Sequence, residues 1–299
     1  MNRAKRIVHA ENVYKKGYSG KGVTIAVLDS GVAVSHPDLS NRVVYFEDYE
    51  EHRVSCYDDN GHGTHVAGIL CGTGKVSRGI YAGMAPNANL VVLKVLDAKG
   101  NGSTERVLRA LDWIKKNHEK YQIRLLNFSI GYLPSAKYEE QKRLLDAIED
   151  LWDIGIMVIA AAGNKGPKEQ TVTVPGISRK VLTVGASDDE KELPQYLKPG
   201  YSGKGPTSCC IIKPEVLAPG TKIVSTGIDR AKHYGYIEKS GTAMATPIVC
   251  GAMALAFEKD PELTPAALKL ITYKNCKPVA ARRKNSWGLL QVDDLISQI

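Results

Sequence analysis

Five short runs of consecutive apolar and β-branched residues are the feature that most limits how this chain can fold. They occupy residues 23–29 (VTIAVLD), 89–96, 123–130, 156–163 and 181–187. Because their apolar residues are consecutive rather than alternating, each run is typical of a strand buried on both faces of a parallel sheet. Helical patterns at residues 103–120, 135–155 and 263–275 separate or follow them. This order predicts an α/β fold with a doubly wound, mostly parallel central sheet and helices on both faces, three layers in all.

The composition is that of a globular protein, and nothing in it divides the chain. The 299 residues contain no repeat and no Pro/Gly/Ser-rich linker, so we expect one domain spanning residues 1–299. The formal charge is +8, but no long basic run carries interleaved aromatic residues, as a nucleic-acid surface would. An ordinary solvated surface is therefore favoured over nucleic-acid binding. No apolar run approaches the length of a membrane span.

Cysteine usage and the N-terminal sequence bear on the compartment. The six cysteines form no Cys-x-x-Cys pair, and the adjacent Cys209 and Cys210 suit neither a metal site nor a disulfide with each other. The first seventeen residues have no apolar signal core. These features predict a reducing, cytoplasmic location, with the alternative that precursor segments have been removed.

Polar side chains stand where two of the predicted strands end. Asp29 closes the first strand in VLDSG, and Asn164 follows the fourth in AAAGN. In open α/β sheets, binding sites form at the carboxyl ends of strands. A carboxylate there can hold a partner ring, and an amide can donate to a developing oxyanion. Each residue alone could also be a simple turn residue.

Two histidines lie at the start of a predicted helix in DDNGHGTHVAGI. His62 stands between Gly61 and Gly63, which allow a close approach of backbone or substrate. His65 follows one turn later, which raises the alternative of a zinc site. Helical zinc motifs need histidines four residues apart with a glutamate between them. Because neither is present, we interpret His65 as a packed helix residue.

The stretch SGTAMATP places an alanine where a nucleophile is expected. Ala243 begins an apolar, small-residue run that predicts a buried helix, and Pro247 is early enough in it to be tolerated. A backbone N–H at this helix start can donate to an oxyanion. The methyl group of alanine offers no nucleophilic atom.

Taken in order, these residues resemble the subtilisin-like serine protease family. The resemblance covers nearly the whole chain, through GKGVTIAVLDSG, SHPDL, GHGTHVAG, GMAPNANLVVLKVLD, NFSIG, AAAGN, KPEVLAPG and SGTAMATP. The order Asp, His, nucleophile is that of the subtilisin triad. The resemblance implies that Asp29 orients the imidazole, His62 is the general base, Asn164 donates to the oxyanion, and Ala243 occupies the position of the nucleophilic serine.

The resemblance also implies how a peptide or protein substrate would bind. An extended peptide would add as a strand between two backbone segments, 99–102 and 129–131. The primary pocket would be walled by 129–131 and 161–163, and its small residues predict an open pocket that accepts a large or apolar side chain. The substrate-binding residues implied are Gly100, Asn101, Gly102, Ser129, Ile130, Gly131, Ala161, Ala162 and Gly163.

No cofactor is required for this chemistry, but a structural calcium ion is possible. Asp38 in SHPDL matches a calcium ligand of the family, whereas the loop CGTGKVSRGIYAG offers no asparagine or aspartate. Calcium needs six or more oxygen ligands, so a complete site at Asp38 is doubtful on sequence grounds.

Two explanations of Ala243 remain open. The alanine could be a deliberate inactivation of a protease, which is favoured because Asp29, His62 and Asn164 are all present. Alternatively, the chain is a natural pseudoprotease that serves as a peptide-binding or adaptor module. In either case the chain as written is expected to bind peptide and not to cleave it.

Overall fold

A parallel sheet of eight strands forms the centre of the computed structural model, which describes residues 1–131, 138–190, 192–229, 235–279 and 286–299. In chain order the strands are β1 (Thr24–Asp29), β2 (Val43–Asp48), β3 (Asn89–Lys94), β4 (Ile123–Phe128), β5 (Met157–Ala161), β6 (Leu182–Ala186), β7 (Val216–Ala218), β8 (Ile223–Thr226), β9 (Tyr236–Lys239) and β10 (Gly288–Leu289). The spatial order of the sheet is β10-β7-β6-β5-β4-β1-β3-β2, while β8 and β9 form a separate antiparallel hairpin. All five predicted strands are confirmed, each within a few residues of its predicted bounds.

Helices cover both faces of the sheet. They are α1 (Asn2–Ile7), α2 (Glu11–Lys15), α3 (His62–Cys71), α4 (Thr104–Tyr121), α5 (Tyr138–Asp153), α6 (Thr242–Lys259), α7 (Pro265–Asn275) and α8 (Val292–Ser297). The predicted helix at residues 263–275 is confirmed with Thr264 as its N-cap, whose side chain accepts a hydrogen bond from the Ala267 N–H. Residues 135–137 of the predicted helix at 135–155 lie outside the described residues.

The two faces of β1 show why the sheet is a middle layer. Ile25 and Val27 pack in one core with α3 and α6, whereas Ala26 and Leu28 pack in a second core with α4 and α5. All six residues of β1 are buried, as consecutive apolar residues require when both faces are covered. The predicted three-layer α/β architecture is confirmed.

The order of the strands creates a crevice beside β1. From β1 the chain runs out to β2 and β3 on one side, and from β4 it continues to β5, β6 and β7 on the other. Neighbouring connections that depart in opposite directions leave a gap at the carboxyl ends of the strands between them, where ligands bind in such sheets. The ends of β1 and β4, Asp29 and Phe128, border this gap.

No helix within the described ranges is both long enough and apolar enough to cross a membrane. Helix α6 is the most apolar of the long helices, but fifteen of its residues are buried inside the protein.

Candidate active site

Asp29 and His62 form a hydrogen-bonded pair at the carboxyl end of β1. Asp29 is fully buried, whereas His62, the first residue of α3, leaves 24% of its side chain exposed. The imidazole Nδ1 lies 2.8 Å from Asp29 Oδ1 and 3.0 Å from Oδ2. With Nδ1–H donating to the carboxylate, Nε2 of the neutral ring carries a lone pair and can accept a proton.

Gly63 permits this contact. A Cβ at Gly63 would lie 2.2 Å from the carbonyl oxygen of Gly31 and 3.1 Å from Cβ of Asp29. These distances leave no room for any side chain. The glycine that follows His62 in the sequence therefore allows α3 to approach β1 closely enough for the ring to reach Asp29.

The groups around His62 shift the pKa of its imidazole. Burial lowers the pKa of His62, but the carboxylate of Asp29 outweighs burial, so the pKa lies above 6.5. The ammonium group of Lys239 lowers the pKa of His62, and the carboxylate of Asp58 raises it. The protonated ring is thus stabilised beside Asp29, which suits a base that takes up a proton during a reaction.

Asn164 is held by the residue that precedes Ala243. Its Oδ1 accepts hydrogen bonds from the N–H and the hydroxyl of Thr242, each at 3.0 Å. The Thr242 hydroxyl also accepts from the Gly163 N–H at 3.1 Å. Because the amide oxygen is fixed by two donors, Nδ2 of Asn164 is left as a donor, and it lies beside Gly241.

Ala243 is the second residue of α6, in the first turn of that helix. The first N–H groups of a helix have no acceptor within the helix and carry the positive end of its dipole. The N–H of Ala243 and Nδ2 of Asn164 are two donors that could stabilise one oxyanion.

The order of the strands places the Asp29–His62 pair and Asn164 at the same edge of the sheet. Asp29 ends β1 and Asn164 follows β5, with β4 alone between them. Adjacent strands lie about 4.8 Å apart, so the ends of β1 and β5 are separated by about 10 Å. Helices α3 and α6, which begin at His62 and Thr242, pack against each other on the same face.

The two segments predicted to hold a peptide border a common cavity of about 260 Å³. Gly100, Asn101 and Gly102 line one side, and Ile130 and Gly131 line the other. The side chain of Thr104 and four apolar side chains complete the lining, the latter being Leu96, Val107, Phe128 and Leu144. An extended peptide between the segments could therefore place an apolar side chain in this cavity.

Thr173 lies beside the two segments that are predicted to wall the primary pocket. Gly131 and Gly163 approach each other, since a Cβ on Gly131 would lie 3.7 Å from Cα of Gly163. However, Thr173 fills the space beside both glycines. A Cβ on Gly131 would lie 3.0 Å from Oγ1 of Thr173, and a Cβ on Gly163 would lie 2.5 Å from Cγ2 of Thr173. A side chain from the loop between β5 and β6 thus occupies space beside both glycines.

Ala161 and Ala162, predicted to wall the primary pocket, have little exposed surface of their own. Both are buried, and the backbone of Ala162 is already paired, donating to Val184 and accepting from Thr173. The hydroxyl of Ser129 is also turned inward, where it accepts a hydrogen bond from Asn127 at 2.8 Å.

The surroundings of Asp38 do not fit calcium. Asp38 is buried, and its Oδ2 accepts a hydrogen bond from the Tyr236 hydroxyl at 2.6 Å. Its Oδ1 accepts from the Val76 N–H at 3.1 Å. Donors surround the carboxylate where a calcium site would present oxygen acceptors. Within the described residues, no three or more His, Cys, Asp or Glu side chains are grouped to hold a metal.

His65 packs as the sequence predicts. It is fully buried, and its Nε2 lies 3.0 Å from the Ile223 oxygen and 3.1 Å from the Ile237 oxygen. Sequence reasoning missed Thr242 and Thr173. Thr242 could have been found from its place between Gly241 and Ala243, whereas nothing in the local sequence marks Thr173.

Comparisons with known proteins identify relatives of this chain. The sequence model of the Subtilase family matches residues 20–288. Serine protease AprX of Bacillus subtilis (strain 168) is 38% identical over 288 residues, which are 90% of this chain and 65% of that protein. This chain thus spans about two thirds of the length of that relative. Subtilisin DY of Bacillus licheniformis is 32% identical over 265 residues, with coverage of 88% and 86%.

The fold is also that of a solved structure. A crystal structure of a cold-adapted subtilisin-like serine proteinase superimposes with a TM-score of 0.74 at 30% sequence identity. The match covers 92% of this chain and 90% of that one.

Proposed function

This chain belongs to the subtilase family, and on that premise we propose that its fold is that of a serine endopeptidase whose nucleophile would stand at position 243. The observation that carries the proposal is the hydrogen bond between Asp29 and His62 at the edge of the sheet that also holds Asn164. With alanine at position 243, the chain as written binds peptides and does not cleave them.

The reaction follows from the roles of four positions. The hydroxyl of a serine at 243 would attack the peptide carbonyl carbon while His62 Nε2 accepts its proton. Asp29 would stabilise the imidazolium, and Asn164 Nδ2 with the N–H of residue 243 would stabilise the oxyanion. His62 would then protonate the leaving amine as the C–N bond breaks. Water would hydrolyse the acyl-enzyme by the same steps.

The substrate is an extended peptide or protein segment. We infer that it adds to the backbone of 99–102 and 129–131, with an apolar side chain in the cavity between them. Thr173 restricts the primary pocket, so the residue before the cleaved bond is a small one. No cofactor takes part, and the six unpaired cysteines support a reducing, cytoplasmic location.

Replacement Ala243→Ser tests the proposal. We expect cleavage of casein and of an unstructured peptide library to rise on the order of 10⁶-fold over the chain as written, because the nucleophile is restored. Adding Asn164→Ala to the restored chain should lower kcat by about 10²–10³-fold with little change in KM, because an oxyanion donor is lost.

The second candidate function is peptide binding without cleavage, and Ala243 itself favours it. A folded Ala243→Ser variant that cleaves nothing across the library, while the chain as written still binds some of its peptides, would contradict the peptidase proposal. That result would support a peptide-binding or adaptor module.

A further inference from the structure

Asp58 is a carboxylate beside the candidate site that the proposed reaction does not use. Its Oδ1 accepts hydrogen bonds from the N–H groups of Asn60 at 3.1 Å and Gly61 at 2.8 Å. Its Oδ2 accepts from the Thr64 N–H at 2.8 Å and the Thr64 hydroxyl at 2.6 Å. These donors precede and follow His62, so one side chain fixes the backbone on both sides of the imidazole.

The same carboxylate also reaches the strand that carries Asp29. The hydroxyl of Ser30 donates to Asp58 Oδ1 at 2.9 Å and accepts from the Gly63 N–H at 2.9 Å. The Ser30 N–H in turn donates to Asp29 Oδ1 at 2.8 Å. Asp58 therefore connects, through Ser30, to the carboxylate that faces the imidazole.

The environment of Asp58 keeps it charged. Burial raises its pKa, but the donors from Thr64, Gly61 and Ser30 outweigh burial and hold the pKa below the ordinary value. The negative charge also lies at the N-terminus of α3, where the helix dipole favours it. The carboxylate is thus a permanent acceptor for the turn that presents His62.

We propose that Asp58 is a positioning residue, whose hydrogen bonds to the first turn of α3 and to Ser30 hold His62 Nδ1 against Asp29. Asp58 acts through His62 and Asp29 and touches no substrate. The catalytic effect of Asp58 rests on the proposed function. The geometry that Asp58 maintains is already present in the chain that carries Ala243.

Replacement Asp58→Asn disturbs this arrangement with little change in size. An amide NH₂ replaces one carboxylate oxygen, and it then faces a backbone N–H or a hydroxyl as donor against donor. In the chain as written, the downfield proton resonance of His62 Nδ1–H should broaden or disappear by NMR. With Ala243→Ser added, kcat should fall about 100-fold while KM stays within about twofold, because only the placement of the base changes.

Asp48→Asn is the matched control. Asp48 is also a carboxylate held by four donors, the N–H groups of Glu50, Glu51 and Arg53 and the hydroxyl of Tyr57. None of these donors belongs to the turn that carries His62. We expect this variant to retain the Nδ1–H resonance, and the restored chain to retain kcat.

Other outcomes would overturn the proposal. A sharp Nδ1–H resonance in Asp58→Asn, or equal effects of Asp58→Asn and Asp48→Asn, would show that Asp58 is only a structural residue. If Asp58→Asn does not fold, Ser30→Ala removes the hydroxyl that donates to Asp58 and accepts from the Gly63 N–H, and an unchanged resonance in that variant would refute the role. Because the NMR measurement needs no activity, it remains decisive even if Ala243→Ser cleaves nothing.

Discussion

Thr173 shows how one side chain limits what the candidate site can accept. It is 3% exposed and lies against Gly131 and Gly163. Within the described part of the chain, its Oγ1 has no hydrogen-bond partner. A buried hydroxyl without a partner costs free energy, and a polar group of a bound ligand could satisfy it. We therefore expect the pocket to accept a small side chain, such as that of serine or alanine.

Replacement Thr173→Gly in the Ala243→Ser chain should open this pocket. We expect kcat/KM for peptides with a large aromatic residue before the cleaved bond to rise about 10–200-fold relative to alanine, as for other changes of pocket size. Thr171→Gly is the control, because its hydroxyl donates to the Lys168 oxygen instead of filling the pocket. Cleavage preferences that stay the same in a peptide-library profile of Thr173→Gly would contradict this reading of the pocket.

At the scale of elements, the sequence predicts what is local and misses what depends on distant contacts. The strands β1, β3, β4, β5 and β6 are predictable because both of their faces are buried. Strand β2 was missed because it lies at the edge of the sheet, where VVYFED mixes apolar with acidic residues. Asp29 and Asn164 could be identified because strand ends mark them, whereas the place of Thr173 depends on a loop reaching another strand.

Helix α3 and the β8–β9 hairpin are joined at His65, which makes their junction sensitive to acid. Burial lowers the pKa of His65 to about 3, and the positive charges of Lys239 and His62 add to this effect. In the unfolded chain the pKa is about 6.5. Because the folded pKa is depressed, the unfolded state takes up protons first, and stability falls as the pH drops from about 6.5 towards 3.

Replacement His65→Gln should reduce this acid sensitivity, since an amide can donate to the same carbonyl oxygens without titrating. When the pH falls from 7 to 5, titration of His65 should lower the free energy of unfolding by about 2 kcal/mol. The variant should not show this decrease. Urea unfolding followed by circular dichroism at the two pH values measures the difference. His118→Gln, on helix α4, is the control, and an equal pH response in all three chains would refute the assignment.

For the molecule as a whole, hydrogen bonds hold the loop at residues 73–83 and the hairpin to Asp38. The Tyr236 hydroxyl and the Val76 N–H supply them. The ring of Tyr236 also packs edge-on against His36, with centroids 5.4 Å apart, and lies 4.8 Å from the ring of Tyr81. These contacts connect the loop and the hairpin directly through Asp38 and Tyr236.

Excess calcium chloride, compared with EDTA, should accordingly raise Tm by less than Tyr236→Phe lowers it, because protein donors already occupy the carboxylate of Asp38. Tyr236→Phe removes a hydrogen bond to a buried carboxylate and should cost about 2 kcal/mol, or about 4 °C in Tm. Tyr81→Phe removes a neighbouring hydroxyl that does not reach Asp38, and its cost should stay within about 0.5 kcal/mol. If calcium raises the Tm by more than Tyr236→Phe lowers it, a metal ion, and not the tyrosine, is the main link between the loop and the hairpin.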